Sequence, residues 1–246
     1  MADRISNERA VLIAKRKKRR RKIVLKRVFT VFLTMILTIT VVCGGITIYG
    51  LFNPKIYDSG FIPAPFGRRV SERVEKVKNL TVPNWIDKQI IDIHTTARTG
   101  FYLEDIKNVV VHYVGNPDTS AQNNRDYFNK ISTTVSSHFV VGLQGEIIQC
   151  VPLYERSAAS NNRNKDTISI EVCHPDESGK YNDITYESVI KLISWLLNEI
   201  SLDESAIIRH YDITGKICPK YYVENEDEWL KLKEDVKIKL DEYKEK

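Results

Sequence analysis

Cysteine is scarce in this chain: four residues in 246, at positions 43, 150, 173 and 218. Four thiols so widely spaced exclude the disulfide-framework class of small secreted domain. Cys43 lies in an apolar run. The other three read as buried thiols, as a pair plus one, or as metal ligands. Positive charge is missing from most of the chain as well. Residues 1–27 carry twelve Lys/Arg against two Asp/Glu, whereas residues 28–246 carry twenty-five against thirty. The net charge of +5 therefore belongs to the first tenth of the protein, and the rest is mildly acidic. That argues against nucleic acid as a partner, which calls for positive charge on the folded face. There is no internal repeat, and no low-complexity tract besides one basic run.

That run, "KRKKRRRK" at residues 15–22, is eight consecutive positive charges. It is followed by an uncharged stretch of 25 residues, 28–52, and a spanning helix needs about 20 mostly apolar residues. Its threonines can return their hydroxyls to the helix backbone and so tolerate lipid. With Lys26, Arg27 and the basic run all on the amino side, the positive-inside rule keeps that side in the cytoplasm and exports the carboxyl side. A cleaved signal peptide has an apolar region of about 7–15 residues and a small-x-small cleavage site. This stretch is too long, and "TIYGLFNPK" offers no such site. The reading is an uncleaved single-pass anchor in the cell membrane, with the basic run serving retention and contact with anionic lipid. Residues 1–27 are then a cytoplasmic tail, 28–52 the transmembrane helix, and 53–82 an extracellular linker rich in turn signals. A domain begins near Pro83 and runs to residue 246.

Within that domain "NVVVHYV", residues 108–114, is β-branched and closed by "GNP", which predicts a buried strand. "SHFVVGL" and "EIIQCVP" flank a tight turn at Gln144-Gly145, which predicts a hairpin. "DTISIEVC" alternates, placing Ile168, Ile170 and Val172 on one face and Ser169, Glu171 and Cys173 on a polar one. "TYESVIKLISWLLNEI" puts Tyr186, Val189, Ile190, Ile193, Leu197 and Ile200 on one helical stripe, with Thr185 as its N-cap. "IIRHYD" is a short strand or its exit. A final amphipathic helix opens with acids and buries Trp229, Leu232, Val236 and Leu240. Strands mixed with helices predict an α/β domain, a sheet layered with helices.

"RHYDITGKICPKYY", residues 209–222, places His210 eight positions before Cys218 and Lys216 two before it. Gly215 and Pro219 punctuate the turn between them. His112 sits at the end of the 108–114 strand. Two imidazoles and a thiolate suit a catalytic zinc site, in which three protein ligands leave a fourth position open. Spacing alone leaves plainer readings standing. His112 can be a packed histidine, Glu171 a solvent-facing strand acid, and Lys216 a loop charge. His138 and His174 line the cleft or sit at the surface, His94 precedes the core, and Cys173 borders the cleft or is a packed thiol. Asp212 is placed to orient a ligand histidine.

"VVVHYVGNP", "SSHFVVGLQGEIIQCVP", "NKDTISIEVCHP" and "IIRHYDITGKICP", in that order, resemble the zinc-dependent N-acetylmuramoyl-L-alanine amidases of the phage-endolysin and peptidoglycan-recognition type. The resemblance covers about residues 83–239. It implies a mixed central β-sheet flanked by helices, with Zn2+ held by His112, His210 and Cys218. It implies that Glu171 is the base that activates water and that Lys216 faces the metal and the carbonyl oxygen. The implied substrate is bacterial peptidoglycan, cut between N-acetylmuramic acid and L-alanine. Where another branch of the family has a catalytic tyrosine, this chain has Ser137, too short for the same reach. Two other classes compete: a non-catalytic peptidoglycan-binding module on the same fold, and an anchored scaffold acting through its basic tail.

Overall fold

The computed structural model describes residues 2–52, 70–93 and 96–245, and the chain divides into two compact units, Met1–Gly67 and Arg68–Lys246. His94 and residues 53–69 of the expected linker lie outside the described residues. In the first unit one helix, α1 (Ala2–Phe52), carries both the basic run and the apolar stretch. Its segment Arg20–Val42 is long and apolar enough to cross a membrane, and it overlaps the uncharged stretch 28–52. Threonine hydroxyls turn back to the helix, Thr30 to the Lys26 carbonyl at 2.9 Å and Thr38 to the Thr34 carbonyl at 2.8 Å. Their polar atoms are thereby satisfied within the helix, as lipid requires.

The second unit is built on six strands: β1 (Ile86–Lys88), β2 (Asn108–Tyr113), β3 (Phe139–Val141), β4 (Ile147–Gln149), β5 (Thr167–Val172) and β6 (Ile207–Arg209). Their order across the sheet is β1-β4-β3-β5-β2-β6. Only β3 and β4 pair antiparallel; every other neighbouring pair is parallel. The sheet is therefore mixed, and the part around β2, between β5 and β6, is wholly parallel. The β3–β4 connection is the expected hairpin, with Gly145 at φ 80° in its turn, a backbone region open to glycine.

Both faces of the sheet are covered. On one, Val109, Val111, Ile168, Ile170 and Ile207 pack in a core with α4 (Asp183–Ile200) and α7 (Glu226–Lys244). Val74 and Val77 of α2 (Glu72–Lys78) join this core, so the helix ahead of Pro83 packs with the domain. On the other face, Val140, Ile148, Cys150 and Cys173 pack against Ala121 and Phe128 of α3 (Ala121–Phe128). This corrects the reading of β5. Its alternation is real, but the face expected to be polar is covered, and Ser169 is fully buried.

The N-cap of α4 is Asn182, not Thr185. Asn182 Oδ1 accepts the Thr185 N–H at 2.9 Å, while the Thr185 hydroxyl donates to the Gly142 carbonyl at 2.9 Å. Both residue types can cap; Asn182 has the extended backbone that a cap requires. The α4 stripe is also wider than expected, because Leu192, Trp195 and Leu196 are buried too.

Leu196 is fully buried between sheet and helices. Leu196→Ala removes buried methyl groups and leaves a cavity, which costs about 2–5 kcal/mol. Chemical denaturation should show that fall with the slope of unfolding against denaturant unchanged.

Candidate metal centre

The parallel strands deliver the expected residues to one rim. In the register of β2 and β5, His112 lies beside Glu171. In that of β2 and β6, Val111 lies beside Arg209, so His210 follows immediately at the start of α5 (His210–Thr214). Open parallel sheets place sites at the carboxyl ends of their strands for this reason. The chain then turns through Gly215, at φ 77°, and the Tyr211 N–H closes the loop on the Cys218 carbonyl at 3.0 Å. Cys218 is thereby folded back beside both histidines, ahead of α6 (Lys220–Glu224).

Arg209 locks this turn. Its guanidinium donates to Asp212 Oδ1 at 2.9 Å, to the Tyr222 carbonyl at 3.0 Å and to Glu226 at 2.5 Å, and lies 5.3 Å from the Trp229 ring. Asp212 is occupied by that guanidinium and by the Arg209 N–H at 2.8 Å. It does not orient a ligand histidine, as its place in the sequence suggested; it anchors the helix that carries one.

His112, His210 and Cys218 are all buried, and each offers a ligand atom within 4.8 Å of the others. Cys218 Sγ lies 3.9 Å from His112 Nδ1, and the two imidazole centroids are 4.7 Å apart. Tetrahedral zinc bonds of about 2.0–2.3 Å separate nitrogen and sulfur ligands by roughly 3.3–3.8 Å, so these donors fit a metal with small adjustment. The charges fit as well. Burial, then the neighbouring His210 and Lys216, hold His112 well below the usual imidazole range. Burial, then Lys216, lowers His210. Both shifts favour the neutral ring, the form in which imidazole binds a metal. Burial, then Glu171, pushes the Cys218 thiol up to about 12; a bound dication reverses that by holding the thiolate.

These three residues line an open cleft of about 970 Å³ together with Glu171, Lys216 and Asn161. Glu171 Oε2 is buried without a hydrogen-bond partner. Burial raises its carboxyl to about 8, against the pull of Lys216. The other candidates stand elsewhere. His138 is fully buried between Ser169 Oγ, at 3.1 Å, and the Glu155 carbonyl, at 2.9 Å. His174 bridges the Val114 and Asp176 carbonyls at 2.7 and 2.6 Å. Ser137 is buried and donates to the Phe139 carbonyl at 2.7 Å. Cys173 is a packed thiol that accepts from Asn124 at 3.6 Å, and Cys150, Cys173 and Cys218 are all free. Two residues at the site have no counterpart in the sequence reading: Ser160 Oγ is 3.4 Å from His112 Nε2, and Asn161 Oδ1 is 3.2 Å from His210 Nε2. Their only signal is a polar cluster, "SNNRNK", ahead of β5.

A mixed sheet covered on both faces, with a buried His-His-Cys cluster at its strand ends, defines an α/β domain with a candidate metal site. Residues 102–221 match the Amidase_2 family, N-acetylmuramoyl-L-alanine amidase. The chain is 32% identical over 171 residues to the N-acetylmuramoyl-L-alanine amidase BlyA of Bacillus subtilis (strain 168), which covers 61% of this chain and 46% of BlyA. To the N-acetylmuramoyl-L-alanine amidase CwlL of Bacillus licheniformis it is 27% identical over 166 residues, with the same two coverages. The chain thus spans about half the length of these relatives. The fold matches the catalytic domain of XlyA, with a TM-score of 0.54 at 24% identity, covering 61% of this chain and 98% of that one. It also matches PlyL, with a TM-score of 0.55 at 21% identity, covering 62% and 96%.

The raised Glu171 carboxyl has a signature in stability. In the unfolded chain it titrates in the ordinary range, near 4.5, and in the folded metal-free protein near 8. Its contribution is complete below the lower value and is lost as pH rises through the higher one. Metal-free Glu171→Gln should therefore gain stability relative to the wild type as pH climbs through that window, and match it in acid. Denaturation midpoints measured across pH check this.

Proposed function

We propose that this chain is a membrane-anchored, zinc-dependent N-acetylmuramoyl-L-alanine amidase acting on bacterial peptidoglycan outside the cell. The observation that carries the proposal is the convergence of His112, His210 and Cys218 within 4.8 Å, beside a carboxylate oxygen left without a partner. The family match adds the substrate class, and the names of BlyA and CwlL add the bond. Residues 1–27 serve as the cytoplasmic tail, 28–52 as the anchor, the stretch between the anchor and α2 as the linker, and α2 onward to 246 as the amidase domain, since Val74 and Val77 of α2 pack in its core. The apolar helix and its basic flank support that placement.

His112, His210 and Cys218 hold the ion, which when bound supplies a Lewis acid toward the scissile carbonyl. Glu171 takes the proton of the attacking water and passes it to the departing amine of L-alanine. The Lys216 ammonium balances negative charge developing on the carbonyl oxygen. The products are the lactyl carboxylate of the sugar and a peptide with a free amino terminus.

The test uses the full chain in detergent, with elemental analysis for zinc and peptidoglycan assayed for new L-alanine amino termini. Stoichiometric zinc with cleavage is expected, and Cys218→Ser should lose both. Glu171→Gln should keep zinc and lose turnover by about 10²–10⁴-fold, and Lys216→Ala by about 10²–10³-fold. Zinc without cleavage would instead make this a peptidoglycan-binding module, and absence of zinc would overturn the metal reading.

A further inference from the structure

Neither ligand histidine is held by its own strand or helix alone. The Nε2 nitrogen of each meets a side chain from the same loop, 157–164. Ser160, fully buried, places Oγ 3.4 Å from His112 Nε2. Asn161, the next residue, places Oδ1 3.2 Å from His210 Nε2. For His112 the opposite nitrogen, Nδ1, is the one that faces Cys218 Sγ. A hydrogen bond at Nε2 therefore presents Nδ1 and its lone pair to the ligand cluster, and it opposes a flip of the ring.

The loop is braced for such a task. Asn161 has a left-handed backbone, φ 53°, which asparagine tolerates better than most residues. Asn164 Oδ1 accepts both the Ala159 N–H at 3.1 Å and the Ser160 N–H at 2.6 Å. The Ala158 N–H donates to Ser136 Oγ at 3.0 Å. Ser157 Oγ meets Ser169 Oγ at 2.7 Å, and Ser169 Oγ in turn meets the buried His138. Arg163 ties the far end to Asn108 Oδ1, at 2.6 Å, and to Asp166 Oδ1, at 2.7 Å. A surface connection with no task would not need this many anchors on β2, β5 and the segment before β3.

We infer that the 157–164 loop is a clamp for the metal ligands, with Ser160 and Asn161 as positioning residues that aim His112 and His210 at a common point. The inference rests on the metal reading above. It assigns neither residue a contact with substrate: they act through the histidines, on metal affinity first and on turnover only as a consequence.

The experiment is zinc affinity of the full chain in detergent, measured by chelator competition, together with the thermal midpoint of the metal-free protein. Ser160→Ala removes one acceptor. Asn161→Gly removes the other while leaving the left-handed backbone free of strain, and Asn161→Asp keeps an oxygen there. Ser160→Ala and Asn161→Gly should each weaken zinc binding by about tenfold or more, with the metal-free midpoint unmoved, and Asn161→Asp should retain wild-type affinity. The clamp is overturned if both removals bind zinc like the wild type. It is equally overturned if Asn161→Asp is as weak as Asn161→Gly, or if the weakening tracks a lowered metal-free midpoint. A wild type that binds no zinc overturns the metal reading itself, which sets that failure apart from failure of the clamp alone.

Discussion

The parallel pairing of β2 with β5 and β6 is the constraint on which the rest of this domain depends. Parallel strands share a direction, so their carboxyl ends share a rim, and the residues leaving each strand are brought to one place. His112 and Cys218 are 106 positions apart in the chain, yet they meet because β6 ends beside β2 and the next loop folds back. The register is held by burial. Val109, Val111, Ile168, Ile170 and Ile207 pack on one face, and a one-residue slip of any of these strands would turn its set away from that core. The energy that specifies the fold thus also specifies which residues face the cleft.

Burial has the opposite sign for the chemistry at the rim. It disfavours a charged imidazole at His112 and His210, a thiolate at Cys218 and a carboxylate at Glu171. The first two effects prepare ligands, since imidazole binds metal in its neutral form. The last two leave groups whose anionic forms await positive charge. Lys216 supplies some of it, acting on all four groups, but it stands on an exposed loop where solvent weakens its reach. A dication among His112, His210 and Cys218 would supply more, at shorter range. The protein alone is a set of unmet electrostatic demands that one ion would answer together.

Much of this was legible in the sequence, for identifiable reasons. Strands such as "NVVVHYV" and "DTISIEVC" carry period-two patterns that survive tertiary packing, and His112 and Glu171 inherit their facing from them. The 209–222 turn announces itself through Gly215 and Pro219. The features that were not legible depend on partners distant in the chain. The buried state of Ser169 reflects Ser157 of the 157–164 loop and the buried His138, both of which meet its hydroxyl. The true cap of α4 is a matter of backbone angle at Asn182, which residue type does not disclose. Asp212 looked like a partner for a histidine because it is near one in sequence; Arg209 claims it because Arg209 is also bound by Tyr222 and Glu226. Ser160 and Asn161 sit in a polar stretch that composition reads as an ordinary loop.

That last case separates two kinds of precision. A strand sets where a Cα lies, and the sheet around β2 does so for His112 without help. A strand does not set the rotation of an imidazole, because the torsion that turns the ring is broad and roughly two-fold. A metal site needs ring direction as well as position, so some element outside the sheet must fix it. The anchors of the 157–164 loop on β2 and β5 put that element in the same rigid frame as the ligands. If ring direction is set this way, the sheet can be conventional and the cleft open, and the stringency of the site resides in a few hydrogen bonds made by one short, well-braced loop.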